Sequence, residues 1–393
     1  MQKRVKMSKN ANLHKAKDAK NDEFYTQLND VSNELKHYRP HFKDKIVLCN
    51  CDDPTWSAFW KYFHLNFELL GLKKLISTHY DREQATYKME YTGGDDNNIE
   101  AGIKTPLEGN GDFRNAECIE LLKEADIVVT NPPFSEYRSY VAQLVEYDKK
   151  FIIWSNNNSI TYKEIFPLIK ENKMWLGYLA NKTCYFQIPD YYEKWDGKYT
   201  KQMNDGHKYG KVPAISTFTN LDIQKRHDFW LRECCERFTM DKYPMYDNYC
   251  AWNINKVTDI FIDEDIEAEV DDKKLEQIKK AYGSDATVLE AVDSKTRVKI
   301  HHPVMGVPIT FLDKYNPEEF EIVELSRYLE HDGMSKQFVD EYYRQGNKGS
   351  IHEGHPDLCY YDKQGKTIVP YMRVLIKRKE NLHHEDNTNS GQY

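Results

Sequence analysis

Asp126-Ile127-Val128-Val129-Thr130-Asn131-Pro132-Pro133-Phe134 is the stretch on which the reading of this chain turns. Its first part, Asp126 to Thr130, is a short run of apolar and β-branched residues without alternation, the pattern of a strand buried on both faces of a parallel sheet. Two prolines then end it; they fix φ and carry no N–H, so the strand runs into a stiff turn at its carboxyl end. Working outward, the same unit recurs in Ile46-Val47-Leu48 before Asp52-Asp53-Pro54, in Lys74 to Thr78 before Asp81, and in Phe151-Ile152-Ile153-Trp154. Helical spacings lie between these strands. Trp56, Phe59, Trp60 and Phe63 form one helix, with Asp53 expected as its N-cap and Pro54 at the first helical position. Further helices are expected from about Asn115 to Glu124 and from Ser139 to Tyr147. Strands alternating with helices predict an α/β fold with a doubly wound, mostly parallel sheet.

Around this centre the chain divides into four segments. Residues 1–40 hold a basic arm (Lys3, Arg4, Lys6, Lys9, Lys15, Lys17 and Lys20 against Asp18) followed by a helix carrying Phe24, Leu28, Val31 and Leu35 on one face. The arm suits phosphates, and equally suits a solvated leader. Residues 41–220 hold the sheet, with Ala214 to Phe218 as a late strand. Residues 221–330 form a second region containing an acidic run, Asp263 to Asp272, that should face solvent. Residues 331–393 end in a strand over Val369 to Lys377 and a polar tail.

With 393 residues, 40% hydrophobic and 30% charged, the composition is that of an ordinary globular chain, rich in aromatics (28 Tyr, 17 Phe, 7 Trp). A net charge of −8 argues against a surface covered in nucleic-acid contacts. The 8 cysteines are scattered without a repeated C-x-x-C pair, which excludes a zinc ribbon and leaves them as core residues. No signal peptide and no apolar run of membrane-spanning length is present, so the expected setting is cytoplasmic, with no membrane. His352-Glu353-Gly354-His355 with Cys359 reads as a surface loop, because Gly354 and Pro356 disfavour the helix a H-x-x-H ligand pair would need; no metal is expected.

Asn131 to Phe134 stand where open α/β sheets bind ligands, at the carboxyl end of a strand. An aromatic amine is a poor nucleophile because its lone pair is delocalised into the ring. The Asn131 side-chain oxygen and the Pro132 carbonyl are suited to accept one amine hydrogen each, localising that pair and stabilising the positive charge that develops on methylation. Pro133 acts as a rigid spacer. Phe134 offers a stacking face for a base drawn out of a duplex, and stacking of this kind contributes about 1–3 kcal/mol, comparable to the loss on unstacking. Taken singly, the tetrapeptide is also an ordinary way to close a strand.

At these residues the chain resembles the adenine-specific DNA methyltransferases, and more closely the EcoRI-type modification methylases. The resemblance takes in Asp22 to Gln27, Ile46 to Pro54, Gly111 to Arg114, the NPPF segment, Lys211 to Asp222 and Gly306 to Tyr315, in order and over most of the chain. It implies a seven-stranded Rossmann-like methyltransferase sheet with an appended target-recognition region, and S-adenosylmethionine as cofactor. It implies that Tyr25 and Thr26 contact the methionine part of the cofactor and that Asn50, Cys51 and Asp52 form the first cofactor loop. Asp81 would hold the ribose hydroxyls, and Asp112 with Phe113 the adenine. Asn131, Pro132, Pro133 and Phe134 would be catalytic. One departure is plain: the first loop, Cys49 to Ser57, contains no glycine. The implied substrate is an adenine in double-stranded DNA, within a short palindrome such as GAATTC, in an enzyme paired with a restriction endonuclease or acting alone.

Two other readings stand beside this one. Pro189-Asp190 with Asp196-Gly197-Lys198 imitates the carboxylates and lysine of a Mg²⁺-dependent nuclease, at a spacing short for two strands. The same fold with an N-P-P-aromatic turn also serves enzymes that methylate RNA bases or protein glutamine. The long region after the sheet favours a duplex, whose base edges need Arg, Lys, Asn and Gln to reach them.

Overall fold

The computed structural model describes residues 26–81, 85–188, 200–202, 208–228, 242–260, 265–292 and 295–379. The basic arm, Tyr25, the acid pair at 190 and 196, Cys234, Cys235 and the polar tail lie outside them. The chain divides into two compact units, 1–223 and 224–393; helices of eight residues or more are labelled below.

In the first unit the elements run α1 (Leu28–Leu35), β1 (Ile46–Cys49), α2 (Ala58–Leu65), β2 (Lys74–Thr78), β3 (Tyr87–Tyr91), β4 (Ile103–Pro106), α3 (Ala116–Glu124) and β5 (Ile127–Thr130). They continue with α4 (Tyr137–Glu146), β6 (Lys150–Asn156), β7 (Trp175–Leu176), β8 (Lys182–Ile188), β9 (Thr200–Gln202) and β10 (Lys208–Thr219). Strand order is β4-β3-β2-β1-β5-β6-β10-β7, with β8 and β9 also paired to β10. The pairs β2–β1, β1–β5 and β5–β6 are parallel. The middles of those strands are apolar because both faces are covered: Val47, Cys49, Ile127, Val129, Ile152 and Trp154 pack with α1 and α2. The intervening Leu48, Val128 and Ile153 are equally buried.

The expected parallel α/β core is present, and the sheet extends beyond it. Among the described residues the sheet has ten strands, and its parallel part is the four-strand centre. β3, β4, β7, β8, β9 and β10 all pair antiparallel, joined by connections too short for a crossover or by the long excursion before β10. Asp53 is not the cap of α2 either. Ser57 is, its Oγ accepting from Trp60 N–H at 2.9 Å, while Asp53 serves the turn before it.

α1 is held to the sheet by a buried carboxylate. Glu34 accepts from Tyr38 Oη and Thr217 Oγ1, both at 2.8 Å, and from the N–H groups of Tyr178 at 2.9 Å and Leu179 at 2.5 Å. Burial nevertheless raises its carboxyl above the ordinary range, against those four donors.

The second unit holds a four-stranded sheet, order β11 (Trp252–Asn253), β15 (Met305–Pro308), β19 (Arg373–Arg378), β16 (Phe320–Leu325). It also holds a three-stranded sheet of β12 (Asp265–Val270), β14 (Lys295–His301) and β13 (Ala286–Val292), packed with α5 (Asp272–Tyr282). A third part has α6 (Lys336–Arg344) beside the hairpin β17 (Tyr360–Tyr361) and β18 (Thr367–Ile368). Much of the acidic run is thus a strand: Ile266, Ala268 and Val270 are buried, Glu267 and Glu269 face solvent, and Asp271 caps α5 by accepting from Lys274 N–H at 2.8 Å. Of the six described cysteines, all free, Cys49, Cys118, Cys184 and Cys359 are buried. Burial pushes the thiols of Cys118, Cys184 and Cys359 up to about 12.

Candidate active site

Parallel neighbours bring the carboxyl ends of β1, β2 and β5 side by side, and side chains tie the three loops together. Thr130 Oγ1 donates to the Asn50 carbonyl at 2.7 Å and Thr78 Oγ1 donates to Asn50 Oδ1 at 3.0 Å. Thr78 receives in turn: Cys51 N–H donates to its Oγ1 at 3.2 Å and Asp52 N–H to its carbonyl at 2.9 Å. The glycine-free loop is thus fixed by hydrogen bonds from the two neighbouring strands. Cys51 itself adopts the left-handed conformation, with φ +59°, at a cost of about 1–2 kcal/mol for a residue with a Cβ. Next in line, Asp53 Oδ1 accepts from Thr55 N–H at 2.9 Å and from Tyr87 Oη at 2.8 Å, with His79 Nε2 3.7 Å from Oδ2.

The segment after β5 is a turn leading into α4, in which Pro132 is buried and Asn131, Pro133 and Phe134 are half-buried. Its carbonyls differ. Pro133 O accepts from Glu136 N–H at 3.0 Å, whereas Pro132 O accepts no hydrogen bond from the described residues. Asn131 Oδ1 is buried, and Phe134, half-buried, packs against the core shared with α1 and α2.

The sequence-derived acids are close in the chain to these loops but differ in state. Asp81 N–H donates to the Asn110 carbonyl at 3.1 Å. Gly111, at φ +74°, lies against the His79 carbonyl. Asp112 is engaged by Arg114, whose N–H donates at 2.9 Å and whose Nε and Nη2 donate at 2.8 Å each, while Arg114 Nη1 reaches Glu136 at 3.1 Å. Phe113 is buried edge-on against Tyr140, ring centroids 5.0 Å apart, and its carbonyl accepts from Gln143 Nε2 at 3.0 Å. Asp112 and Phe113 are thus pinned to α4, the helix that follows the NPPF turn. Thr26, at the entry to α1, is buried.

Buried polar atoms are nearly always paired in folded proteins. At this edge of the sheet several have no partner among the described residues: Asn50 Nδ2, Asp52 Oδ2, His79 Nδ1 and Tyr140 Oη, with Thr26 Oγ1 at α1. Tyr140 is fully buried, and burial, with Cys49, Cys51 and Asp52 nearby, raises its phenol. Asp52 also stands well above the usual carboxylate range, through burial and the charge of Asp53 against a hydrogen bond from Ser57. These donors and acceptors, with the Phe113 and Phe134 rings, fit a polar ligand that has an aromatic part. Sequence reading missed His79 and Tyr140. His79 follows directly on β2, a position that marks it; Tyr140 shares a helix face with Tyr137, Val141 and Leu144 and reads as core. Among the described residues no group of three or more His, Cys, Asp or Glu is arranged to hold a metal, and no helix is long and apolar enough to cross a membrane.

Comparison with known proteins gives concordant results. The family model described as "Adenine-specific methyltransferase EcoRI" matches residues 12–277 and 291–379. The type II methyltransferase M.EcoRI of Escherichia coli is 40% identical over 389 residues, covering 95% of this chain and 99% of that protein. The type II methyltransferase M.MpnI of Mycoplasma pneumoniae is 33% identical over 374 residues, covering 94% and 99%. No solved structure matches the chain.

Proposed function

Because the chain belongs to the family of the EcoRI adenine-specific methyltransferase, we propose that it is a type II DNA methyltransferase acting on the exocyclic amine of a flipped adenine in duplex DNA. The observation that carries the chemistry is the contrast between adjacent carbonyls: Pro133 O is taken by Glu136 N–H, whereas Pro132 O, next in the chain to the buried Asn131 Oδ1, accepts no hydrogen bond among the described residues. Two acceptors fixed at the end of a buried strand hold the two amine hydrogens, draw the nitrogen toward tetrahedral geometry and stabilise its developing charge without reorganising. No strong base is needed. Phe134, half-buried against the core, gives the flipped base a surface to stack on.

S-Adenosylmethionine supplies the electrophilic methyl group when bound. The unpartnered polar atoms of Asn50, Asp52, His79 and Tyr140 support a cofactor site there, with Thr26, Cys51, Asp81, Asp112 and Phe113 as the remaining contacts and Tyr25 beyond the described residues. Asp112, in this reading, orients Arg114 and the Phe113 wall as well as meeting the ligand. Strands β3-β2-β1-β5-β6-β10-β7 form the seven-stranded methyltransferase sheet, β3 reversed in direction, and β4, β8 and β9 are additions. Target recognition falls to residues 221–330, with the basic arm adding salt-sensitive contacts. Neither the nuclease nor the RNA and glutamine alternatives gain support from the relatives.

Transfer of tritiated methyl groups to plasmid DNA, followed by base analysis, tests the proposal. Label in N6-methyladenine is expected, with Asn131→Ala lowering kcat by about 10²–10³-fold while cofactor binding persists; label in cytosine, RNA or protein would overturn it.

A further inference from the structure

One end of the four-stranded sheet in the second unit collects the last residues of β11, β15 and β16 and the first of β19: Asn253, Pro308, Leu325 and Arg373. Arg373 is only 8% exposed. Its Nε donates to Asn253 Oδ1 at 3.2 Å, its Nη2 to Asn255 Oδ1 at 2.9 Å and its backbone N–H to Ser326 Oγ at 3.0 Å. Asn253 is buried and itself braced, accepting from Tyr246 Oη at 2.9 Å and donating to Asn255 at 3.1 Å. The guanidinium is therefore held by two amides and the Tyr246 hydroxyl, and no carboxylate meets it among the described residues. Arg378, equally buried at the other end of β19, faces Glu319 at 3.6 Å.

A guanidinium stays charged at any relevant pH, and holding it out of water without a countercharge is costly. Amide oxygens take two of its five N–H donors and do not neutralise it. The residues that follow its partners sharpen the imbalance: Lys256 after Asn255 and Arg327 after Ser326 are exposed and meet no carboxylate among the described residues. On β14, by contrast, Lys295, Arg297 and Lys299 each pair with an acid of β12. Tyr371, two residues before Arg373, is 71% exposed at the same end.

We propose that this sheet end is a clamp for the DNA phosphate backbone, in which Arg373 presents the far end of its fork to one phosphate and Lys256 and Arg327 flank it. The proposal rests on the duplex-methyltransferase reading and adds to it a site that includes the last described strand. A planar fork matches two phosphate oxygens, and one already fixed in place loses little freedom on binding. Phosphate contacts set register without reading sequence, which suits a recessed arginine better than a base edge does.

The test uses the full chain and two labelled duplexes, one containing the sequence found methylated in plasmid DNA and one lacking it, titrated over a range of salt. The double variant Lys256→Ala/Arg327→Ala, both at exposed sites, is expected to weaken binding to both duplexes alike and to flatten the slope of log K against log salt by about 2. Arg373→Lys keeps the charge and loses the fork, and should weaken both duplexes by about tenfold. Unchanged slope and affinity in the double variant would overturn the clamp, even if Arg373→Lys lowered thermal stability. A loss confined to the methylated sequence would overturn it in favour of base reading. If the wild-type chain neither binds nor methylates duplex DNA, it is the methyltransferase reading that fails.

Discussion

Alanine at Gly111 probes the link between backbone geometry and cofactor binding most directly. Gly111 has φ +74°, and a Cβ built there meets the His79 carbonyl oxygen at 2.1 Å. The left-handed conformation alone costs an alanine about 1–2 kcal/mol. The contact adds to this, because real Cβ atoms essentially never approach within 3.0 Å, so the loop must retreat by nearly 1 Å. Neither side yields cheaply: His79 N–H is bonded to the Tyr87 carbonyl at 2.9 Å, and Asp112 and Phe113 are pinned to Arg114 and Gln143. A displacement of about 1 Å in a positioning element costs roughly 100-fold, so S-adenosylmethionine affinity should fall by about two orders of magnitude. Gly71→Ala is the control. Gly71 lies in the same unit with φ +63°, but its Cβ would meet Lys43 Cγ at an ordinary 3.5 Å. Isothermal titration with the cofactor and thermal melting of both variants would separate conformational strain from collision. Equal cofactor affinity in the two variants would refute the reasoning.

Phe134→Ala should weaken binding to duplex DNA carrying the methylated sequence by about 1–3 kcal/mol and leave cofactor binding unchanged, measured by anisotropy and calorimetry. Glu34→Ala strands four donors and should destabilise the first unit by about 3 kcal/mol or more in denaturant melts. Glu34 also predicts a pH effect. Its folded carboxyl is raised above the ordinary value of 4.5, so the folded state binds the proton more tightly, and the contribution is complete below the unfolded value. It is lost as pH rises through the folded value. Wild type should therefore lose stability relative to Glu34→Gln as pH climbs from about 4.5, and a pH-independent difference between the two would contradict this. Cys51→Gly removes left-handed strain at φ +59° but adds chain entropy to the unfolded state; the balance is a gain of about 0–1 kcal/mol, read as a melting shift.

The places where structure departed from expectation share a cause. Phe59, Trp60 and Phe63 announced a helix, but Pro54 and Trp56 lie in the turn before it, Trp56 exposed, and its cap is Ser57 rather than Asp53, whose carboxylate accepts from Tyr87 of another strand. The acidic run looked like a solvated stretch because its charges outnumber its apolar residues. Only pairing with β14 makes Ile266, Ala268 and Val270 an inward face. Tyr140 looked like core for a similar reason: its helix face is apolar, and its hydroxyl matters only through where α4 is packed.

What the sequence determined by itself were the local patterns: unbroken apolar runs that must be covered on both faces, a double proline that must end one of them, and amide and aromatic side chains placed directly after it. Those are properties of neighbouring residues and need no partner to be read. Tertiary structure decided the rest. It set the antiparallel direction of the outer strands and fixed the glycine-free loop, with Cys51 left-handed, by hydrogen bonds from the two neighbouring strands. It also left Pro132 O, among the described residues, without the hydrogen bond that Pro133 O accepts, and held Arg373 between the amides of Asn253 and Asn255. Each depends on groups far apart in the chain meeting in space, where burial and hydrogen-bond competition, rather than residue type, settle what a side chain does.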